Sequence, residues 1–205
     1  MAGRKQFDEI AALDAAVAVF WDKGFEAASM AELEAATGLN KSSLYNAYTS
    51  KEGLYEACLR RFGDRYSGPL MATLAAPRFH DAIGALFGRL VDRFTDDASP
   101  RGCMLTMAAM EAGGPGTTCG ALAAESQDKA RAAFTARAAQ GVRDGDLPAG
   151  TDCAALGAML LAQTRGLAVL NKGAGDAELA REAVRGLMAS LPRADGPRRV
   201  DEPGA

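Results

Sequence analysis

An all-α protein is what the chain predicts, on three observations. Alanine and leucine dominate its 48 % hydrophobic content, and both are strong helix formers, whereas runs of the strand-favouring Val, Ile and Thr are few. Apolar residues recur three and four positions apart in segment after segment, the period of a helix packed on one side. Clusters of Gly, Pro, Asp and Ser fall between those segments and end them. At 205 residues the chain is long enough to bury a sizeable core.

Taken in order, Met1 to Gln6 is an arm carrying Arg4 and Lys5, two cations with the reach to meet a phosphate or a minor groove or to stay solvated. Phe7, Ile10, Leu13, Val17, Phe20 and Trp21 mark one face of a first helix ending at Lys23-Gly24, and Phe25 reads as a plug between helices. Ser29 followed by Glu32 is a capping box that opens a second helix, with Met30, Leu33 and Ala36 on one face. Gly38 stops it, letting the chain turn sharply so that Leu39 drops into the core. Asn40 caps a third helix whose Leu44 and Tyr48 face inward, leaving Lys41, Ser42, Ser43, Tyr45 and Asn46 outward with donors and acceptors suited to base edges and phosphates. Two short helices set at an angle by a tight turn make a helix-turn-helix. Ser50 caps a fourth helix, with Leu54, Tyr55, Cys58, Leu59 and Phe62 as its stripe, running to about Tyr66 and ending at Ser67-Gly68-Pro69. Lys51 in its first turn opposes the helix dipole, which suits a residue placed for an anion such as a DNA phosphate.

The remainder predicts five more helices: His80 to Thr95; the short, very apolar Arg101 to Ala112, stopped by Gly113-Gly114-Pro115-Gly116; Thr117 to about Asp144; Cys153 to about Lys172, capped by Asp152; and Asp176 to Leu191. The expected organisation is a three-helix DNA-binding domain over residues 1–49, a connecting helix over 50–66, a helical regulatory and dimerisation domain over 67–191 and a disordered tail over 192–205.

Composition narrows the function. A net charge of −3 and a pI near 5.3 argue against indiscriminate coating of nucleic acid. Even residues 1–66 hold eight cations against ten carboxylates, so a DNA-reading head needs its few cations on one face. Cys58, Cys103, Cys119 and Cys153 are widely spaced and His80 is the only histidine, so neither a zinc site nor a disulfide framework is expected, nor any cofactor. No signal peptide and no uninterrupted apolar run near the roughly 18 residues of a membrane span are visible, which predicts a cytoplasmic protein without a membrane partner. No catalytic constellation can be assembled, so an enzyme is not expected.

The stretch Gly38-Leu-Asn-Lys-Ser-Ser-Leu-Tyr45-Asn-Ala-Tyr48-Thr-Ser50-Lys51-Glu-Gly-Leu54 resembles the recognition-helix signature of the TetR/AcrR family of bacterial repressors, through Leu44-Tyr45, the aromatic Tyr48 and Ser50-Lys51-Glu52. It departs from the pattern at Ala28, where a Thr is usual, and at Ala47, usually larger. The resemblance implies a double-stranded operator contacted by Ser29, Asn40, Lys41, Ser42, Ser43, Tyr45, Asn46, Tyr48 and Lys51.

It also implies a small-molecule inducer, a cavity in the second half and a homodimer. Phe87, Leu90, Phe94, Met104, Met107, Phe134 and Met159 are the apolar candidates for the cavity, alongside Cys103. Of Gln163, Thr164 and Arg165, which span too wide an arc for all to meet water, Gln163 is the first choice to orient a largely apolar ligand. The helix from Cys153 reads as apolar nearly all round, so a second copy is expected to cover it, with Leu156, Leu160, Leu167, Ala180, Val184, Leu187 and Leu191 at the dimer interface. The plainer alternative folds both helices onto their own chain as a monomer. A rival sensing chemistry centres on Cys103. With Met107 and Met110 at i+4 and i+7 it offers sulfur for Cu(I), and Arg101-Gly102-Cys103 resembles a subgroup some of whose members sense electrophiles or oxidants through cysteine, with Arg101 placed to lower the thiol pKa.

Overall fold

The computed structural model describes residues 8–96, 99–111 and 117–194. The arm with Arg4 and Lys5, the glycine-rich stop at 113–116 and the tail beyond 194 lie outside the described residues. Among those described the fold is all helical, without a strand: α1 (Glu9–Ala27), α2 (Met30–Thr37), α3 (Lys41–Tyr48), α4 (Lys51–Phe62), α5 (Gly68–Met71), α6 (Phe79–Phe94), α7 (Met104–Glu111), α8 (Thr118–Arg143), α9 (Cys153–Gly173) and α10 (Ala177–Ser190).

The head forms for local reasons. Asp8 caps α1 by accepting the N–H groups of Ile10 and Ala11, each at 3.1 Å. Ser29 Oγ accepts the Glu32 N–H at 3.3 Å while Glu32 returns a carboxylate oxygen to the Ser29 N–H at 2.9 Å, completing the capping box. Gly38 turns the chain at φ 70°, and Asn40 and Ser50 cap α3 and α4 through the N–H groups of Ser43 and Gly53. Val17, Phe20, Trp21, Leu33, Leu44, Leu54, Tyr55, Leu59 and Phe62 are buried together as the head's share of one continuous core.

The first helix breaks at Gly24, as the sequence reading has it, where the backbone is non-helical at φ 80°, and a further helical turn resumes to Ala27. Glycine suits that φ, which L side chains rarely adopt. The chain departs from the sequence reading at Ser67-Gly68-Pro69, where it does not leave the helix. A π-turn over Gly63–Ser67 lets the Gly68 N–H reach Gly63, and Pro69 falls in the first turn of α5, where its missing N–H costs nothing.

In the body, α8 packs along α9, and α10 lies on α6 and α9. The Leu stripe assigned to a dimer interface is the inward face: Leu156, Leu160, Leu167, Ala180, Leu187 and Leu191 are buried within their own chain and Val184 is half-buried. The exposed apolar residues of α9 and α10 are instead Met159, Val169, Leu170 and Leu179, 36–46 % exposed, on a face otherwise built largely of Ala and Gly. By length and composition α9, with a mean hydropathy of 1.5, could cross a membrane, but Gln163, Thr164 and Arg165 interrupt its apolar run, and the core helix of a soluble protein has the same length and composition. Past α10, Pro192 and Ala194 are still held, by His80 Nε2 at 3.1 Å and by the Asp146 carbonyl at 3.3 Å.

The head is fastened to the body at the end of α1. Trp21 Nε1–H donates to the Gly102 carbonyl at 3.2 Å, the Lys172 ammonium donates to the Trp21 and Asp22 carbonyls, and the Phe25 N–H donates to Glu111 at 2.8 Å. Asn171, buried in α9, fixes the Gly102 end, accepting the Gly102 N–H at 2.6 Å and donating to the Phe94 carbonyl at 3.2 Å.

Candidate nucleic-acid interface and internal cavity

Helix α3 buries one side chain, Leu44, and exposes Lys41, Ser42, Ser43, Tyr45, Asn46 and Ala47. The outward set read from the sequence is therefore gathered on one short helix. The Lys41 ammonium lies 5.6 Å from the centroid of the Tyr45 ring, which keeps both on that face. Asn40 and Ser29 are exposed but their side-chain oxygens serve the helix caps, so what they retain for a partner is the Asn40 amide N–H₂ and the Ser29 surroundings. Tyr48 departs from the contact set. It is half-buried, its hydroxyl is enclosed without a hydrogen-bond partner, and that burial raises its pKa.

Charge on this face is sparse. Lys23 is paired with Glu32, and Arg61 grips Asp14 at 2.7 and 2.9 Å with Arg65 alongside, holding the Asp14 carboxyl below its usual range. Lys51 sits with its ammonium 4.6 Å from the centroid of the Phe25 ring and 3.5 Å from the Glu26 carbonyl, beside α3. Lys41 and Lys51 are the cations the described head keeps near the recognition helix. Sequence reasoning missed the turn between them. Thr49 has φ 68°, rare for a β-branched residue, with the Ser50 N–H donating to the Tyr48 carbonyl at 2.7 Å in a strained γ-turn. The next helix then approaches so closely that a Cβ on Gly53 would stand 2.1 Å from the Tyr48 carbonyl oxygen, which gives that motif glycine its physical reason.

Below the head lies a cavity of about 560 Å³ between α4, α6, α7, α8 and α9. Of the expected ligand residues it brings together Leu90, Cys103 and Phe134. Phe87 and Met104 are buried in the core, and Phe94 and the half-buried Met107 also lie off the lining. Met159 and Gln163 face outward, because the buried register of α9 runs through Leu156, Leu160 and Leu167, and Gln163 lies opposite it. Thr164 and Arg165 line the cavity instead. So does Arg93, which the sequence reading overlooked and whose pKa burial pulls down. The copper trio is dispersed: Cys103 is buried and Met110 is 59 % exposed. Arg101 is exposed and packs over Gly175; the guanidinium beside Cys103 is that of Arg165, 3.6 Å from the sulfur.

Residues 12–58 match the family model of tetR-family bacterial regulatory proteins, and residues 80–187 match that of the tetracyclin repressor-like C-terminal domain. The chain belongs to the TetR family. TetR membership makes it a DNA-binding transcriptional regulator, with the helix-turn-helix at α2–α3. It is 39 % identical over 103 residues to the HTH-type transcriptional repressor ComR of Escherichia coli, an alignment covering 49 % of each chain, and the curated relatives it matches are spanned over only about half their length. A solved cysteine mutant of the TetR family regulator CifR, complexed with 26 bp of double-strand operator DNA, is 33 % identical with a TM-score of 0.82 over 92 % of this chain and 100 % of that one. A TetR regulator from Chloroflexus aurantiacus, 20 % identical over 90 % of this chain and 95 % of that one with a TM-score of 0.80, shares the fold.

Proposed function

We propose that the protein is a homodimeric repressor that holds a near-palindromic operator through two copies of α3 and releases it when a small molecule with a largely apolar body fills the cavity. The observation that carries this reading is the gathering of Lys41, Ser42, Ser43, Tyr45 and Asn46 on an exposed helix of the head, whose neighbouring α4 reaches the cavity lining at Leu59 and Arg60. The name of ComR supports repression, and the operator complex of CifR supports double-stranded DNA as partner. The exposed apolar and small-residue face of α9 supports a second copy as its cover, and a two-fold dimer reading a palindrome needs its two recognition helices about one turn of DNA apart.

A second reading is favoured by Arg165 beside Cys103: the guanidinium 3.6 Å from this sulfur sets it apart from the chain's other thiols as the candidate for reaction with electrophiles and oxidants. One titration set separates the two. Operator release is measured with a panel of apolar compounds, with Cu(I) and with an oxidant, on wild type and Cys103→Ser. Release by the compounds that survives Cys103→Ser supports the cavity; release only by metal or oxidant, abolished in that variant, replaces it with cysteine chemistry.

A further inference from the structure

The cavity's lining divides by chemistry. Leu70, Met71, Leu90, Leu122 and Phe134 make apolar walls, and between them stand the guanidiniums of Arg93 and Arg165. The Nε of each is buried without a hydrogen-bond partner. Arg165 spends one Nη on Thr106 Oγ1 at 3.1 Å and on Cys103 Sγ at 3.6 Å, and Arg93 lies against the Trp21 and Phe94 rings, at 5.7 and 5.5 Å, with Cys103 and Tyr66 nearby. Among the described residues neither arginine makes an ion pair. Arginine cannot escape burial by losing its proton, so a desolvated guanidinium without a carboxylate is costly unless an anion completes it. The carboxylates that do line the cavity, Asp64 and Glu125, are exposed, and Glu125 already holds Lys129 at 2.6 Å.

We propose that the cavity takes an organic monoanion, its carboxylate shared by Arg93 and Arg165 and its apolar body lying against the leucine, Met71 and Phe134 walls. The assignment deepens the reading of this cavity as the inducer site and rests on it for the inducing role alone. Two guanidiniums suit one carboxylate. The exposed Asp64 and Glu125 disfavour polyanions, and the apolar walls disfavour a small inorganic ion.

Calorimetry on the full chain with straight-chain carboxylates of about six to twelve carbons, sized for a cavity of this class, and with the alcohols of equal length, tests the proposal. Acids are expected to bind about tenfold or more tighter than their alcohols. That preference should vanish in Arg165→Gln and Arg93→Gln, each checked for helix content and operator binding. Should one arginine variant fail to fold, the other suffices. Alcohols binding as tightly as acids, a preference that survives both arginine variants, or no binding across the series overturns the anion site. Operator release by both acids and alcohols without an acid preference would remove the anion and leave the inducer cavity standing; acid-selective binding without operator release would confirm the anion site and remove its inducing role.

Discussion

Helices α3 and α9 are built on opposite plans. The eight residues of α3 bury one side chain, Leu44, and are held in place by their ends, through Asn40 in front and the Thr49 turn behind. The twenty-one residues of α9 are held along their length, with Leu156, Leu160, Leu167 and Asn171 buried on one side and a face of Ala, Gly, Met159, Val169 and Leu170 left outside. A helix fixed at its ends presents whatever its outer positions carry, so its surface is free to read DNA. A helix fixed along one side has its other side dictated by what must approach it, and small residues with a few apolar ones suit another helix.

The contrast is broken most severely by attacking the long helix. Val169→Glu with Leu170→Glu puts two charges on the outward face of α9. If a second copy covers that face, the dimer dissociation constant should rise over a hundredfold, about 3 kcal/mol or more, with little change in the protomer's helix content. Sedimentation at micromolar concentration reads the result; an undisturbed dimer places the interface elsewhere. For the short helix the corresponding blow falls at its rear mount. Gly53→Ala forces a Cβ onto the Tyr48 carbonyl and should lower unfolding stability by about 2–3 kcal/mol in urea titration.

Smaller changes sharpen the comparison. Asn46→Ala should cost about 1–3 kcal/mol on the best operator and relax one base position, while Lys51→Ala should weaken specific and random duplexes alike and make the salt slope shallower by about 0.9 per lost phosphate contact. Equal behaviour of the two variants would remove α3 as the reading helix. At the front of the head, Ser29→Ala should cost about 1 kcal/mol near neutral pH. The Lys23 side chain, joined by Ser29, pulls the Glu32 pKa from 4.5 to about 2, so the box contributes above about pH 4.5 and is lost as pH falls toward 2. The difference between wild type and variant should narrow across that window in acid unfolding curves.

How much was legible follows the same division. Ser29 with Glu32, Gly38, Asn40 and Ser50 act within four residues of themselves, so the head's helices and its outward face could be read directly. The phase of α9 could not. A Leu stripe backed by Ala and Gly looks apolar from every side, and which side is inside depends on α8. Gln163 and Arg165 stand two positions apart in a helix with no local marker of register, so which of them turns to the cavity is not written in the sequence. Nothing in the sequence marks Arg93 on α6 or Thr49 after α3, because desolvation and positive φ are imposed by neighbours distant in sequence or by the close approach of α4.

Helix α7 contributes Leu105 to the cavity wall, and the residues at its two limits hold the end of α1: the Gly102 carbonyl takes the Trp21 indole and the Glu111 carboxylate takes the Phe25 amide. At about 1.5 Å per residue this clamp spans only some 12 Å. It works as a bracket bolted at both ends, with the chamber on one side and the DNA-reading head on the other. A bracket of this kind has no slack to absorb a shift: any movement of α7 along its axis either carries Trp21 and Phe25 with it or breaks a hydrogen bond, so this eight-residue helix, beside Lys172 of α9, couples the chamber wall to the head directly.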